Sequence, residues 1–107
     1  MARETADALF VDEHAHYTIT EVVTMTGIDP ADLTVLVECG VLVPDDATAA
    51  QWSFAAWSVD VARRARRLRD EFALDDAHAV AIVVRFEQRV RDLERQLDAL
   101  RARSGVR

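Results

Sequence analysis

Three kinds of side chain could do chemistry here by type and spacing. They are the pair His14-x-His16, the single cysteine Cys39, and a run of guanidiniums from Arg63 to Arg69. Histidines two apart in a strand or arm put both rings on one side. Zinc asks for at least one more protein ligand, and no Cys/His cluster has structural zinc spacing, so no metal is expected. Cys39 falls in the last turn of a candidate helix, where a small buried apolar residue is a better description than a reactive thiol. Being alone, it cannot form an internal disulfide. His78 falls in the first turn of another candidate helix and is expected to be exposed. No Ser/His/Asp arrangement, glycine-rich phosphate loop or paired-carboxylate motif stands out, and there are only three glycines. Catalysis has no support and no cofactor is expected.

The arginines are a different matter. Arg63, Arg64, Arg66, Arg67 and Arg69 lie within seven residues, a density that could bind phosphates. Asp60–Arg64, Arg66–Asp70 and Arg67–Glu71 are spaced i,i+4, however, which predicts local pairing and a solvated or protein-binding strip. The net charge of −6 conceals a division. Residues 1–60 hold eleven acids and one base, Arg3, giving −10, while residues 61–107 hold twelve arginines and eight acids, giving +4. Lysine is absent. Two surfaces with different electrostatic tasks fit this asymmetry, as does mutual attraction of the halves within a chain or between copies.

Positioning those charges is the task of one small domain, since 107 residues are too few for two independent cores. Half of the residues are hydrophobic and 30% are charged, as in folded globular proteins. No apolar run approaches the ~18–20 residues that span a bilayer, and the start lacks a basic region followed by an apolar core. Secretion and membrane insertion are not expected; a reducing cytoplasm is.

Residues 1–16 read as an N-terminal arm, with no sustained period before His14, although Leu9, Phe10 and Val11 could dock. Thr18 and Glu21 form a capping box before a short helix that Gly27 ends. Asp29 caps a second helix with Pro30 at its first position, Leu33, Leu36 and Val37 supply its buried face, and Gly40 ends it. Two short helices joined by a tight glycine turn read as helix-turn-helix. Val41-Leu42-Val43 and Trp52-Ser53-Phe54 read as strands of a small hairpin, or wing. Trp52, Phe54 and Trp57 are expected to pack it onto the helices, with a partner hot spot as the alternative. A third helix begins near Ser58, with Val61, Ala65, Leu68 and Phe72 on one face. Asp75 or Asp76 caps a last helix.

In that helix Val83, Phe86, Val90, Leu93, Leu97 and Leu100 are spaced 3, 4, 3, 4, 3, with Ala79 extending the series backwards, as in an a/d seam. From Ala77 to Arg103 it would be ~40 Å long, more than one small domain needs. Ala79 to Phe86 is expected to fold onto its own domain. Val90, Leu93, Leu97 and Leu100 are expected to meet a second copy, making a homodimer.

A helix-turn-helix invites a DNA reading, in which the second helix carries Arg, Lys, Asn or Gln to base edges. Pro30 to Cys39 has none of these, and its charged residues are Asp32 and Glu38, with Asp29 as cap. The wing adds Asp45 and Asp46. Carboxylates facing a phosphate backbone are repelled by it, so specific nucleic-acid binding is not expected.

The stretch YTITEVVTMTGI, followed by CGVLVP, resembles the opening of the MerR-type helix-turn-helix. The string continues through Trp52-x-Phe54, ARRARRLRDEFALD over residues 62–75 and the heptad tail. As a whole it resembles the chaperone-modulator family, CbpM, more closely than a DNA-binding MerR regulator. The most specific elements are the ITE…TGI start, the W-x-F pair and the RLR-x-E-x-x-LD junction at Arg67 to Asp75; residues 17–103 are covered.

That resemblance implies a mainly α, MerR-like winged helix-turn-helix over residues 17–76, with a small β-hairpin wing, then a long C-terminal helix over residues 77–107. It also implies a regulator that binds the J-domain of a CbpA- or DnaJ-like co-chaperone and competes for the surface that stimulates the Hsp70 ATPase. J-domains of that kind carry a basic helix, which an acidic face would complement. The family pattern assigns no contact residues; by charge the candidates are Asp29, Asp32, Glu38, Asp45 and Asp46. A MerR-like transcription regulator using the arginines of the third helix is the alternative, and a scaffold that recruits another protein through the long helix is a third possibility.

Overall fold

The computed structural model describes residues 12–105, so Leu9, Phe10 and Val11 of the expected arm lie outside the described residues. The elements are β1 (His16–Thr18), α1 (Ile19–Thr26), α2 (Pro30–Glu38), β2 (Ser53–Ala55), α3 (Ala56–Glu71) and α4 (Ala77–Ser104).

Local chemistry sets most of the boundaries. The Thr18 hydroxyl accepts from Glu21 N at 3.2 Å and the Glu21 carboxylate accepts from Thr18 N at 2.9 Å, which closes the capping box. Gly27 ends α1 at φ +76°, and a Cβ there would lie 2.9 Å from Arg66 Nη1. The left-handed backbone is what favours glycine there, since the Arg66 guanidinium is the mobile end of a long side chain and could shift aside. Asp29 caps α2 by accepting from Ala31 N at 2.8 Å, with Pro30 in the first turn. Asp76 caps α4 by accepting from His78 N at 2.9 Å.

Neither helix of the helix-turn-helix has a basic residue in its last turn. Cations from elsewhere supply the need: Arg66 of α3 donates to Gly27 O, and Arg85 of α4 donates to Cys39 O. A guanidinium at a helix C-terminus satisfies an orphan carbonyl and opposes the negative end of the dipole.

The two-stranded sheet exists, and the Trp52–Phe54 strand read from the sequence appears as β2, shifted by one residue, but its partner is not the one expected. β1 pairs antiparallel with β2, with Tyr17 opposite Phe54, and Val41-Leu42-Val43 is not a strand. Val41 N and Leu42 N both donate to Leu36 O, at 2.9 and 3.2 Å, and both side chains are buried. These amides finish the end of α2 and have no ladder to join. Asp45 N to Ser53 O, at 2.8 Å, ties the returning loop to β2.

α3 lies along α4, α1 packs on α3, and α2 packs on α4. Phe54, Leu33, Leu36, Leu42, Val22, Val59, Val80 and Val84 are fully buried among them. α3 starts at Ala56, two residues before the expected start. Phe72 is exposed, contrary to its place on the α3 face. The helix ends at Glu71, Ala73 takes a left-handed φ of 49°, and Leu74 N reaches back to Arg69 O at 3.0 Å. That reversal swings Phe72 off the buried stripe and brings Leu74 against the core. Trp57, expected to pack the wing, is 49% exposed, whereas Trp52 and Phe54 pack edge to face at 6.3 Å.

α4 begins in the domain, where Val80, Ala81 and Val84 are buried and the heptad residue Val83 is partly buried against the core. Phe86, expected to fold inward, is 67% exposed. The inner stripe falls between the heptad positions because the helix must meet α2 and α3 on one side.

Candidate functional site

The surface to consider is the outward side of α2 and the loop that follows it. Successive residues on a helix turn by about 100°, so Ala31, Thr34 and Glu38 share one face, while Leu33 and Leu36 share the opposite one. Ala31, Thr34 and Glu38 are exposed; Leu33 and Leu36 are fully buried. Asp29 is exposed at the head of α2, and Asp45 and Asp46 are exposed in the loop beyond it. No cation stands in α2 or in the loop as far as β2.

One of the five candidate acids is placed elsewhere. Asp32 is turned inward, its side chain 13% exposed, with Oδ2 2.6 Å from Arg69 Nη1. It lies at the α2–α3 contact, and its charge is answered within the chain. Four acids thus remain outward: Asp29, Glu38, Asp45 and Asp46.

Two of these four are held ionised by their neighbours. Asp45 Oδ2 accepts from the Ser53 hydroxyl at 2.8 Å and lies 2.7 Å from His16 Nδ1. The Ser53 bond above all, then His16, pulls its carboxyl below the usual carboxylate range. Asp46 Oδ1 accepts from the Thr48 hydroxyl at 2.7 Å and from Thr48 N at 2.9 Å, which lowers its pKa as well. Both are anions at neutral pH.

His16 therefore orients Asp45, a role its sequence context does not signal. His14 lies in the turn before β1, its amide bonded to Asp12 Oδ1 at 2.9 Å, so only one histidine of the pair belongs to the strand. Among the described residues there is no group of three or more His, Cys, Asp or Glu able to hold a metal ion. His78 is exposed, and Cys39 is half-buried at the end of α2.

The arginine strip is largely engaged within the molecule. Arg66 Nε meets Asp70 at 2.7 Å, as the spacing implied. Asp60 pairs instead with Arg63, at 3.7 Å, because Arg64 crosses to Glu87 of α4 at 3.0 Å. Arg69 also donates to Asp75 O at 3.3 Å. These side chains tie α3 to α1, α2 and α4, which leaves fewer cations for an external anion.

The last part of α4 has no such neighbours. From Leu93 to Ser104 every residue is exposed, and Val90, Leu93, Leu97 and Leu100 lie open. Among the described residues, no helix is long and apolar enough to cross a membrane.

Comparison with known proteins places this geometry. A family described as MerR HTH family regulatory protein matches residues 17–102. The chain is 40% identical over 83 residues to the chaperone modulatory protein CbpM of Salmonella arizonae, across 76% of this chain and 82% of that relative. It is 41% identical over 59 residues to the proteins of the same name from Salmonella paratyphi B and Salmonella newport, across 55% of this chain and 58% of each relative.

Proposed function

This chain belongs to the MerR helix-turn-helix regulatory proteins and to the chaperone modulatory proteins CbpM, and from that premise we propose that it binds the J-domain of a CbpA- or DnaJ-like co-chaperone and prevents it from stimulating Hsp70 (DnaK). One observation carries the reading. The helix that would enter a DNA groove in this fold presents Ala31, Thr34 and Glu38 to solvent, with Asp29, Asp45 and Asp46 also exposed and no cation between Pro30 and Trp52. A small, uncharged centre beside acids suits a basic protein helix and repels phosphate. The work is steric and electrostatic competition in the cytoplasm, with no bond made or broken in the partner. The DNA-regulator alternative loses its best residues, because Arg66 and Arg69 are engaged with Gly27 O, Asp70 and Asp32.

The test is direct binding of an isolated J-domain. The unaltered chain is expected to bind it, and a chain carrying Asp45→Arg and Asp46→Arg together is expected to bind about tenfold more weakly, mainly through slower association. Unchanged affinity would take the loop out of the contact. Tight, steeply salt-dependent binding to duplex DNA, with no response to the J-domain, would overturn the reading in favour of a transcription regulator.

The reading includes a homodimer through Val90, Leu93, Leu97 and Leu100. α4 has 28 residues and is therefore about 42 Å long. Unsupported helical turns are marginal in water, and an apolar row along them favours a partner with the same row. Leu93→Asp and Leu97→Asp are each expected to convert dimer to monomer in light scattering. An unchanged mass would show that this row is not the seam.

A further inference from the structure

A hollow of about 590 Å³ opens between the first turn of α1 and the loop that leads into β2, lined by Thr18, Ile19, Thr20, Ala50, Gln51 and Trp52. Ile19 and Trp52 are half-buried and packed against the core, whereas Thr18, Thr20, Ala50 and Gln51 are exposed around them. Trp52 is held in place from two directions. Its ring meets Phe54 at 6.3 Å, and its indole N–H donates to Ala47 O at 3.4 Å. Carboxylates reach the margin of the hollow on either side of Thr18. Glu21 accepts from Thr18 N at 2.9 Å; Asp45 accepts from the Ser53 hydroxyl at 2.8 Å, and Ser53 stands opposite Thr18 in the sheet. No lining residue is charged, and the chain holds no arginine or lysine from Asp12 to Val61. Arg66, which does reach α1, meets its far end at Gly27 O.

We infer that this hollow receives a large apolar side chain carried on a basic segment of the partner protein, with Ile19 and Trp52 as the anchor and Glu21, Asp45 and Asp46 as the acidic rim. The inference rests on the J-domain reading and deepens it, adding an apolar anchor to an acidic surface. Charge selects the occupant. Acids at the rim and no arginine or lysine around them attract a cationic segment and repel an anionic one. The apolar part selects what that segment must carry. Tryptophan in a partly desolvated site is among the side chains that most often dominate binding energy, and the volume is ample for one large side chain. A hollow of about 480 Å³ at Trp57, between α3 and α4, offers the opposite chemistry. Arg64, Arg91 and Arg95 line it against Asp60 and Asp92, so it does not attract a basic segment.

The experiment measures association and dissociation rates of an isolated J-domain on the full chain, with far-UV circular dichroism and thermal melting as the check on folding. Ala50 and Thr20 are exposed, so Ala50→Trp and Thr20→Trp fill the hollow from opposite walls without entering the core. Each is expected to weaken binding about tenfold through faster dissociation, while Ala50→Ser and Trp57→Ala leave it unchanged. The acid reversal Asp45→Arg with Asp46→Arg acts differently, by slowing association. If both tryptophan variants dissociate at the unaltered rate while the acid reversal still slows association, the hollow is empty in the complex; the inference is overturned and the J-domain reading survives. A loss of binding on Trp57→Ala with none on filling the hollow puts the anchor on the arginine-lined side and also overturns it. If the unaltered chain does not bind the J-domain, both are overturned.

Discussion

Phe54→Ala is expected to destabilise the protein by about 3–5 kcal/mol, the range for truncating a fully buried aromatic side chain. Phe54 lies at the middle of β2, opposite Tyr17, has no exposed surface, and packs in a T-shaped contact with Trp52. Its ring is where the sheet, the returning loop and the helices share one core. Domains of this size have only about 5–15 kcal/mol of net stability, so the loss is a large fraction of the whole. Each kcal/mol corresponds to roughly 4–8 °C of melting temperature, which predicts a drop of at least about 12 °C. Urea and thermal denaturation at one fixed protein concentration measure it, since an associating chain melts in a concentration-dependent way. A loss below about 1 kcal/mol would mean that the site collapses around the smaller side chain.

Arg69→Ala is expected to cost about 2–3 kcal/mol, less than the range for a fully buried pair because Arg69 itself is 32% exposed. The effect should be asymmetric. Removing Arg69 leaves the buried Asp32 carboxylate without its partner at 2.6 Å, whereas Asp32→Ala leaves a guanidinium that can turn to water. Asp32→Ala should therefore cost less, and adding it to Arg69→Ala should restore part of the loss in a double-mutant cycle. Equal single effects with no recovery would show that the pair contributes by packing alone. The same variants separate stability from recognition. Asp32 faces inward, so Asp32→Ala is expected to leave J-domain affinity unchanged, while reversal of Asp45 and Asp46 lowers it.

Much of the architecture could be read from the residues in order. The Thr18–Glu21 box, the Asp29-Pro30 start and the stop at Gly27 all appear where their spacing places them, and of the two aspartates that could cap the last helix Asp76 does so. Each is an interaction among residues within about four positions, so the neighbours that decide it are already adjacent in the chain. The acidic composition of α2 itself was legible for a similar reason, since Pro30 to Cys39 holds no base; that Arg69 and Arg85 reach it from α3 and α4 was not.

What lay beyond the sequence was the choice among equivalent long-range partners. β2 could have paired with Val41–Val43; it pairs with His16–Thr18 because the amides of Val41 and Leu42 close the end of α2. Asp32 and Glu38 look alike as helix carboxylates, and only the packing of α2 against its neighbours decides that Asp32 meets Arg69 while Glu38 faces water. The heptad row in α4 is unmistakable by spacing, yet a helix apolar on two sides does not declare which side faces its own domain. That was settled by the fit of Val80, Ala81 and Val84 against α2 and α3, which turned Ile82 and Phe86 outward. Periodicity identifies stripes on a helix, but the direction of a stripe depends on contacts between residues far apart in the chain, and those exist only once the domain has closed.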